Sequence, residues 1–199
     1  MEMVEHGGKT VTRVVEQFEA KDLGAPFKVV LKDAVLVTFD AATDEQLSYE
    51  IPDLDGLLRA IVIERLLNER KLSGKDVKYV RKVLGLTQRE LSEKVDIVPE
   101  HLSRIETGIH PLSPGSEKLL RVYALTSAIR LHNADIDPKL KVRFEQAIGR
   151  VFDVMKPSVV RSLDDELVLH FCRANKEAPQ LGRAANENGP WNGPSMAAA

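Results

Sequence analysis

The sequence predicts an α+β protein, mostly α, with a small N-terminal antiparallel sheet, a helical domain, further C-terminal helices and a disordered tail. Three observations carry this. Runs rich in Val, Leu and aromatic residues lie between Phe27 and Ile51, separated by polar residues. From Leu54 onward apolar residues recur at spacings of three and four. From about Arg173 the composition turns to Asn, Gly, Pro, Ala and charge, too little apolar material to offset the entropy of ordering. The 199 residues, 43% hydrophobic, suffice for one compact domain or two small ones, and 5% aromatics makes their cores aliphatic.

In chain order, Val11, Val14, Val15 and Phe18 stand at i, i+3, i+4 and i+7 and predict a short amphipathic helix, ended by Gly24-Ala25-Pro26. Strands follow at Phe27 to Leu31, Ala34 to Phe39 and Leu47 to Ile51, separated by Lys32-Asp33 and by the polar run Asp40 to Gln46. Pro52 ends the sheet. Asp53 or Asp55 opens a helix from Leu54 to about Arg70 whose apolar side is Leu57, Leu58, Ile61, Val62 and Leu66. Ser73 can cap the next helix, which reaches Leu84 with Val77, Val80, Val83 and Leu84 inward, and Gly85 ends it in the left-handed region.

From Gly85 to Gly108 the pattern is two short helices and a tight turn. Thr87 and Glu90 form a Thr-x-x-Glu capping box, each satisfying an orphan backbone N–H of the other. Asp96-Ile97-Val98 makes the turn, and Pro99 begins the second helix, where its missing N–H costs nothing. Leu91, Val95, Ile97, Leu102 and Ile105 point inward, leaving Arg89, Glu100, His101 and Arg104 outward. So short a pair needs the preceding helix as a third wall. Ser113 to Ser116 opens a further helix with Leu119, Leu120, Tyr123 and Leu125. Another begins near Asp137-Pro138 with a stripe of Leu140, Phe144, Ile148, Val151, Phe152 and Met155 that either packs on its own core or meets a second copy. The segment Leu163 to Phe171 fits helix or strand, and Trp191 reads as an exposed residue of the tail. The divisions are a small α+β part (1–52), a connecting helix (53–72), the helical core (73–125), a C-terminal helical segment (126–172) and the tail (173–199).

Charge is uneven. Residues 1–69 carry 7 basic against 14 acidic side chains, a net of −7, whereas residues 70–110 carry 9 against 6, a net of +3. A basic helical unit with an acidic appendage suits a nucleic-acid reader whose other part faces away from phosphate. No apolar run approaches the roughly 18 residues of a membrane span, and Met1 to Lys9 lacks a signal-peptide core, so a cytoplasmic protein is expected. The single cysteine, Cys172, excludes an internal disulfide framework and reads as a small buried hydrophobe. No phosphate-cradling Gly-rich loop, nucleophile elbow or metal-spaced histidine pair is present. The acidic groups Asp53/Asp55 and Asp164/Asp165/Glu166 are explained as helix-start residues. Neither catalysis, a cofactor nor a metal is therefore expected.

The run Arg81-Lys82-Val83-Leu84-Gly85-Leu86-Thr87-Gln88, then Leu91-Ser92, then Leu102-Ser103-Arg104-Ile105-Glu106-Thr107-Gly108, resembles the Xre (Cro/C1-type) family of helix-turn-helix transcriptional regulators over residues 73–125. Val98 stands where such domains usually have a Ser or Thr cap. The resemblance implies a dimeric repressor on an inverted-repeat operator, reading double-stranded DNA in the major groove. Lys75, Gln88 and Arg89 would hold phosphates, while Glu100, His101 and Arg104 would reach base edges, with Thr87, Pro99 and Ser103 completing the DNA-binding set. It also implies a partly buried ion pair between Arg81 and Glu106. More broadly, an N-terminal sheet, Tyr49-Glu50-Ile51-Pro52, a connecting helix and this core is an order similar to MqsA-type antitoxins, implying as an alternative a toxin-binding N-terminal part and autorepression. The zinc-binding cysteines of those proteins are absent here. The apolar stripe and the N-terminal sheet are the two candidate dimer surfaces.

Overall fold

The computed structural model describes residues 4–6, 9–130, 149, 166–173 and 191–193. Four strands come first, β1 (Val4–His6), β2 (Thr10–Glu19), β3 (Lys28–Asp40) and β4 (Gln46–Glu50). Five helices follow, α1 (Leu54–Leu67), α2 (Gly74–Val83), α3 (Gln88–Lys94), α4 (Pro99–Glu106) and α5 (Pro114–Arg130), and the chain returns as β5 (Val168–Arg173) and β6 (Trp191–Asn192). The strands form one six-stranded sheet in the order β1-β2-β3-β5-β6, with β4 also on β3. All pairings are antiparallel except β3 with β5, which is parallel. The architecture is mixed α+β, as the sequence predicts.

Four expectations are corrected. Residues Val11 to Phe18 are not a helix but most of β2, paired along β3 from Thr10↔Asp40 to Glu19↔Val30. Val15↔Val35 is followed by Gln17↔Lys32, so the bulge there places its extra residue in β3, between Lys32 and Val35, and β2 itself runs on without an insertion. The three-and-four spacing thus arises from apolar residues on both faces of a strand, Val11 and Val15 on one and Val14 and Phe18 on the other, all half-buried, and Thr10, Val11, Thr12, Val14 and Val15 are β-branched residues that suit it. Lys32-Asp33 does not separate two strands either. β3 runs through them, with Asp33 in the left-handed region (φ 48) and both side chains exposed, a conformation the short polar Asp tolerates.

At the other end, the described part of the ambiguous segment becomes strand from Val168: Leu169, Phe171 and Arg173 point inward and Val168, His170 and Cys172 outward. That alternation exposes Cys172 instead of burying it. Trp191 is no exposed tail residue. It is 2% exposed, its ring lies under the Arg173 guanidinium at 5.0 Å, and its indole N–H donates to the Asp53 carbonyl at 3.1 Å. Isolated polar neighbours in sequence hide this, because the partner lies 138 positions away. The stripe Leu140 to Met155 lies outside the described residues.

One apolar cluster extends from Val29, Leu31, Val35 and Val37 of the sheet, through Leu57, Ile61 and Leu66 of α1, to Val77, Leu91, Leu102, Ile105 and Leu120. The Phe27 ring meets Tyr79 of α2 edge-on at 6.0 Å, a second link between sheet and helices. α1 therefore stands between the sheet and the helical core. Its start is capped by the Asp53 carboxylate, which accepts from Gly56 N at 3.0 Å, and Arg173 reaches the same carboxylate at 3.4 Å.

Its end is held by arginines. Arg121 of α5 donates to the carbonyls of Leu66, Asn68 and Arg70, groups that have no partner within the helix. Arg65 spans Asp76 of α2 with two bonds of 2.9 Å and donates to the Arg70 and Lys71 carbonyls. Glu117 completes the joint, binding Arg121 at 2.8 Å and accepting from Leu72 N at 3.0 Å. Burial pulls the Arg121 pKa down, and the hydrogen bond and charge of Glu117 oppose that. No helix among the described residues is long and apolar enough to cross a membrane.

Candidate nucleic-acid interface

α2, α3 and α4 form the compact unit that presents the outward residues. Ser73 caps α2 in a capping box with Asp76, so one carboxylate serves both this cap and Arg65. Gly74 is obligatory by space, since a Cβ there would lie 1.9 Å from the Ile105 carbonyl oxygen where α2 starts against the end of α4. Thr87 caps α3 with Glu90: Thr87 N–H donates to Glu90 at 2.8 Å and Glu90 N–H to the Thr87 hydroxyl at 3.2 Å. These bonds from the Thr87 backbone and side chain hold the Glu90 carboxyl below its ordinary pKa. Gly108, at φ 80, ends α4.

α4 buries Leu102, Ile105 and Glu106 and turns Glu100 and Arg104 to solvent, with His101 and Ser103 half-buried between. Val98 caps α4 without any side-chain hydrogen bond, and Pro99 occupies the first turn. The His101 ring lies 5.8 Å from that of His110 beyond the helix. Lys75, Thr87 and Arg89 are exposed. Arg89 pairs with Glu93 at 3.1 Å on the surface, with both side chains largely in water. Such a pair is worth well under about 1 kcal/mol and yields readily to a phosphate.

Gln88 does not stand free: its amide donates to Glu106 at 2.9 Å. Glu106 also receives Arg81 through two bonds, of 2.6 and 3.0 Å, while Arg81 gives a third to the Leu86 carbonyl at 2.8 Å. Burial raises the Glu106 pKa, but the hydrogen bonds from Arg81 and Gln88 and the charges of Arg81 and Lys78 outweigh it and leave the carboxyl below its ordinary value. The Glu106 hydrogen bond lifts Arg81 in turn. The three residues tie α2, the start of α3 and the end of α4 together.

Sequence reasoning overlooked the joint behind this unit, Arg65, Asp76, Glu117 and Arg121. A signal existed: Glu117 and Arg121, four apart, fall on the same face of α5 as buried Leu120, Ala124, Leu125 and Ala128. Charges on an apolar helical face at i, i+4 are paired charges. Among the described residues no group of three or more His, Cys, Asp or Glu side chains could hold a metal ion.

A short helix crossing behind a second one whose outward row is free defines a DNA-binding helix-turn-helix class of domain. Residues 77–123 match the family model described as Helix-turn-helix, and this segment is a helix-turn-helix domain of the Xre (Cro/C1) type, a DNA-binding domain of transcription regulators. No curated protein and no solved structure matches the chain. The likeness of overall order to MqsA-type antitoxins has no support from these comparisons.

Proposed function

We propose that the chain is a dimeric, sequence-specific repressor that reads an inverted-repeat operator with α4. The observation carrying this reading is the outward row of α4, Glu100 and Arg104 in solvent with His101 and Ser103 beside them, on a helix whose inner face is fixed by Leu102, Ile105 and Glu106. Arg104 suits a guanine, bound through two hydrogen bonds, and Glu100 a cytosine amino group. Lys75, Gln88 and Arg89 suit phosphates on either side, with Thr87 and Pro99 setting where their helices begin. The reading unit spans residues 73–125.

Two copies are required, because one α4 makes a few base contacts of about 1–3 kcal/mol each, too little to separate one operator from a genome of competing sites. Repression then follows from covering promoter DNA. Selection of bound fragments from a random DNA pool tests the reading. The expected product is an inverted repeat with half-sites about 10 base pairs apart. A pool that shows no enrichment, or enriches only single half-sites, overturns it.

A further inference from the structure

α1, α2, α3 and α5 each open on a polar side chain that accepts from the main chain of the first turn. Asp53 accepts from Gly56 N at 3.0 Å, Ser73 from Asp76 N at 3.2 Å, Thr87 from Glu90 N at 3.2 Å and Ser113 from Ser116 N at 3.1 Å. α4 opens on Val98, whose side chain makes no such bond. Val98 is also 61% exposed, so its isopropyl group gains little from the core. A lone exposed valine is ordinary on a protein surface. At a helix N-cap it is costly, because Val is among the poorest caps for the orphan N–H groups of the first turn. Exposed charges, Asp96 and Glu100, stand on either side of it in the chain, a poor setting for a protein contact, whose centre is depleted of charge.

We propose that Val98 is a base-reading residue, whose methyl groups pack on the C5-methyl group of a thymine in the major groove of the operator. The inference rests on the repressor reading above and adds to it a base that the leading end of α4 selects.

The chemistry of the groove argues for this occupant. The hydrogen-bonding groups of the base edges there are donors and acceptors, and the thymine methyl is the apolar group among them. A side chain that can neither donate nor accept discriminates by that group. Packed on a cytosine amino group or a guanine carbonyl oxygen, it would take away their water and leave them without a partner. Position agrees. The N-terminal residues of a recognition helix are those that reach base edges, and Val98 stands two positions before Glu100 and, like it, in solvent. Glu100 and Arg104 suit cytosine and guanine, so Val98 supplies the discrimination for thymine that they lack.

The test uses the full chain and the operator selected from a synthetic pool without methylated cytosine, in which thymine is the source of every C5-methyl group. Each thymine in turn is replaced by deoxyuridine, which lacks only that methyl, at the matching position of both half-sites. At one position the wild type is expected to lose about fourfold per half-site, roughly fifteenfold for the pair, while Val98→Ser loses nothing. Val98→Ser should also melt about 2–4 °C higher, because it gains the missing cap. A side chain that served packing would move stability and methyl sensitivity down together. Val98→Ala shortens the side chain without adding a cap, should blunt the same methyl effect, and decides the matter if Val98→Ser does not fold. Equal responses of the wild type and both variants to every deoxyuridine, or an operator with no thymine in its half-site, overturn the role of Val98 and leave the repressor reading standing. If single half-sites alone are enriched, the dimeric reading fails, and a fourfold methyl effect confined to the wild type still supports Val98. A pool that yields no enriched sequence overturns both.

Discussion

Two clusters of buried charge flank the helix-turn-helix, and the same pair of side-chain types does different work in each. Within the unit, Arg81 and Glu106 lock α2 to α4 while Arg81 keeps some contact with water, its side chain 13% exposed. At the joint with α1, Arg65 and Arg121 are 3% and 1% exposed, and each gives its remaining N–H groups to main-chain carbonyls. The first cluster ties α2, the start of α3 and the end of α4 together. The second ends α1, ties it to α2 and α5, and makes the sheet and the helical core share one apolar interior. Losing Arg81 strands the Glu106 charge and the one carbonyl it holds, that of Leu86, whereas losing Arg121 strands Glu117 and the carbonyls at the end of α1 as well.

The sharpest way to break this comparison is Arg121→Met. Glu117 would be left buried without its cation and the Leu66 and Asn68 carbonyls without the Arg121 donor, while Arg70 keeps Arg65, so urea titration should show a loss toward the top of the range of about 3–5 kcal/mol for one-sided removal of a buried pair. A loss below about 1 kcal/mol would mean that water replaces the guanidinium and the joint is not closed. Trp191→Ala comes next, with an expected loss of roughly 3 kcal/mol from the emptied space between Arg173 and the start of α1. A truncated side chain with unchanged melting would show that β6 is not docked.

Arg81→Met should cost about 3 kcal/mol, the lower end of the same range, because Arg81 is already partly solvated. This pair also titrates. Glu106 has a folded pKa held below its ordinary value of 4.5, so its contribution is full above about pH 4.5 and is lost as pH falls through the folded value. Acid unfolding of the wild type should therefore be steeper than that of Glu106→Gln. Parallel curves would show that Glu106 gains nothing from Arg81 and Gln88.

What could be read from the sequence divides along the same line. Within 73–125 the signals are local: Thr87 and Glu90 are three residues apart, Pro99 and Gly108 mark ends, and apolar spacing matches the helical period. The sheet depends on distant partners. Val11 to Phe18 shows helical spacing because β2 carries apolar residues on both faces, and the evidence for strand lay in pairing with β3, from Val11 with Phe39 to Phe18 with Leu31. Trp191 and Arg173 find Asp53 from the far end of the chain, which no window along the sequence contains. The outward residues of α4 were legible as a face. That Gln88, expected to hold a phosphate, gives one amide N–H to Glu106 and has only the second for a phosphate could not be seen from its position.

The central claim, that α4 reads base edges, is tested most directly by measuring binding of Arg104→Ala and Lys75→Ala to the selected operator and to its single-base variants across a salt series. Arg104→Ala should cost about 1–3 kcal/mol and relax preference at one base pair per half-site, while Lys75→Ala should weaken all sequences alike and reduce the salt slope by about one. Equal, sequence-independent losses from both variants would contradict the account, since Arg104 would then touch only phosphate.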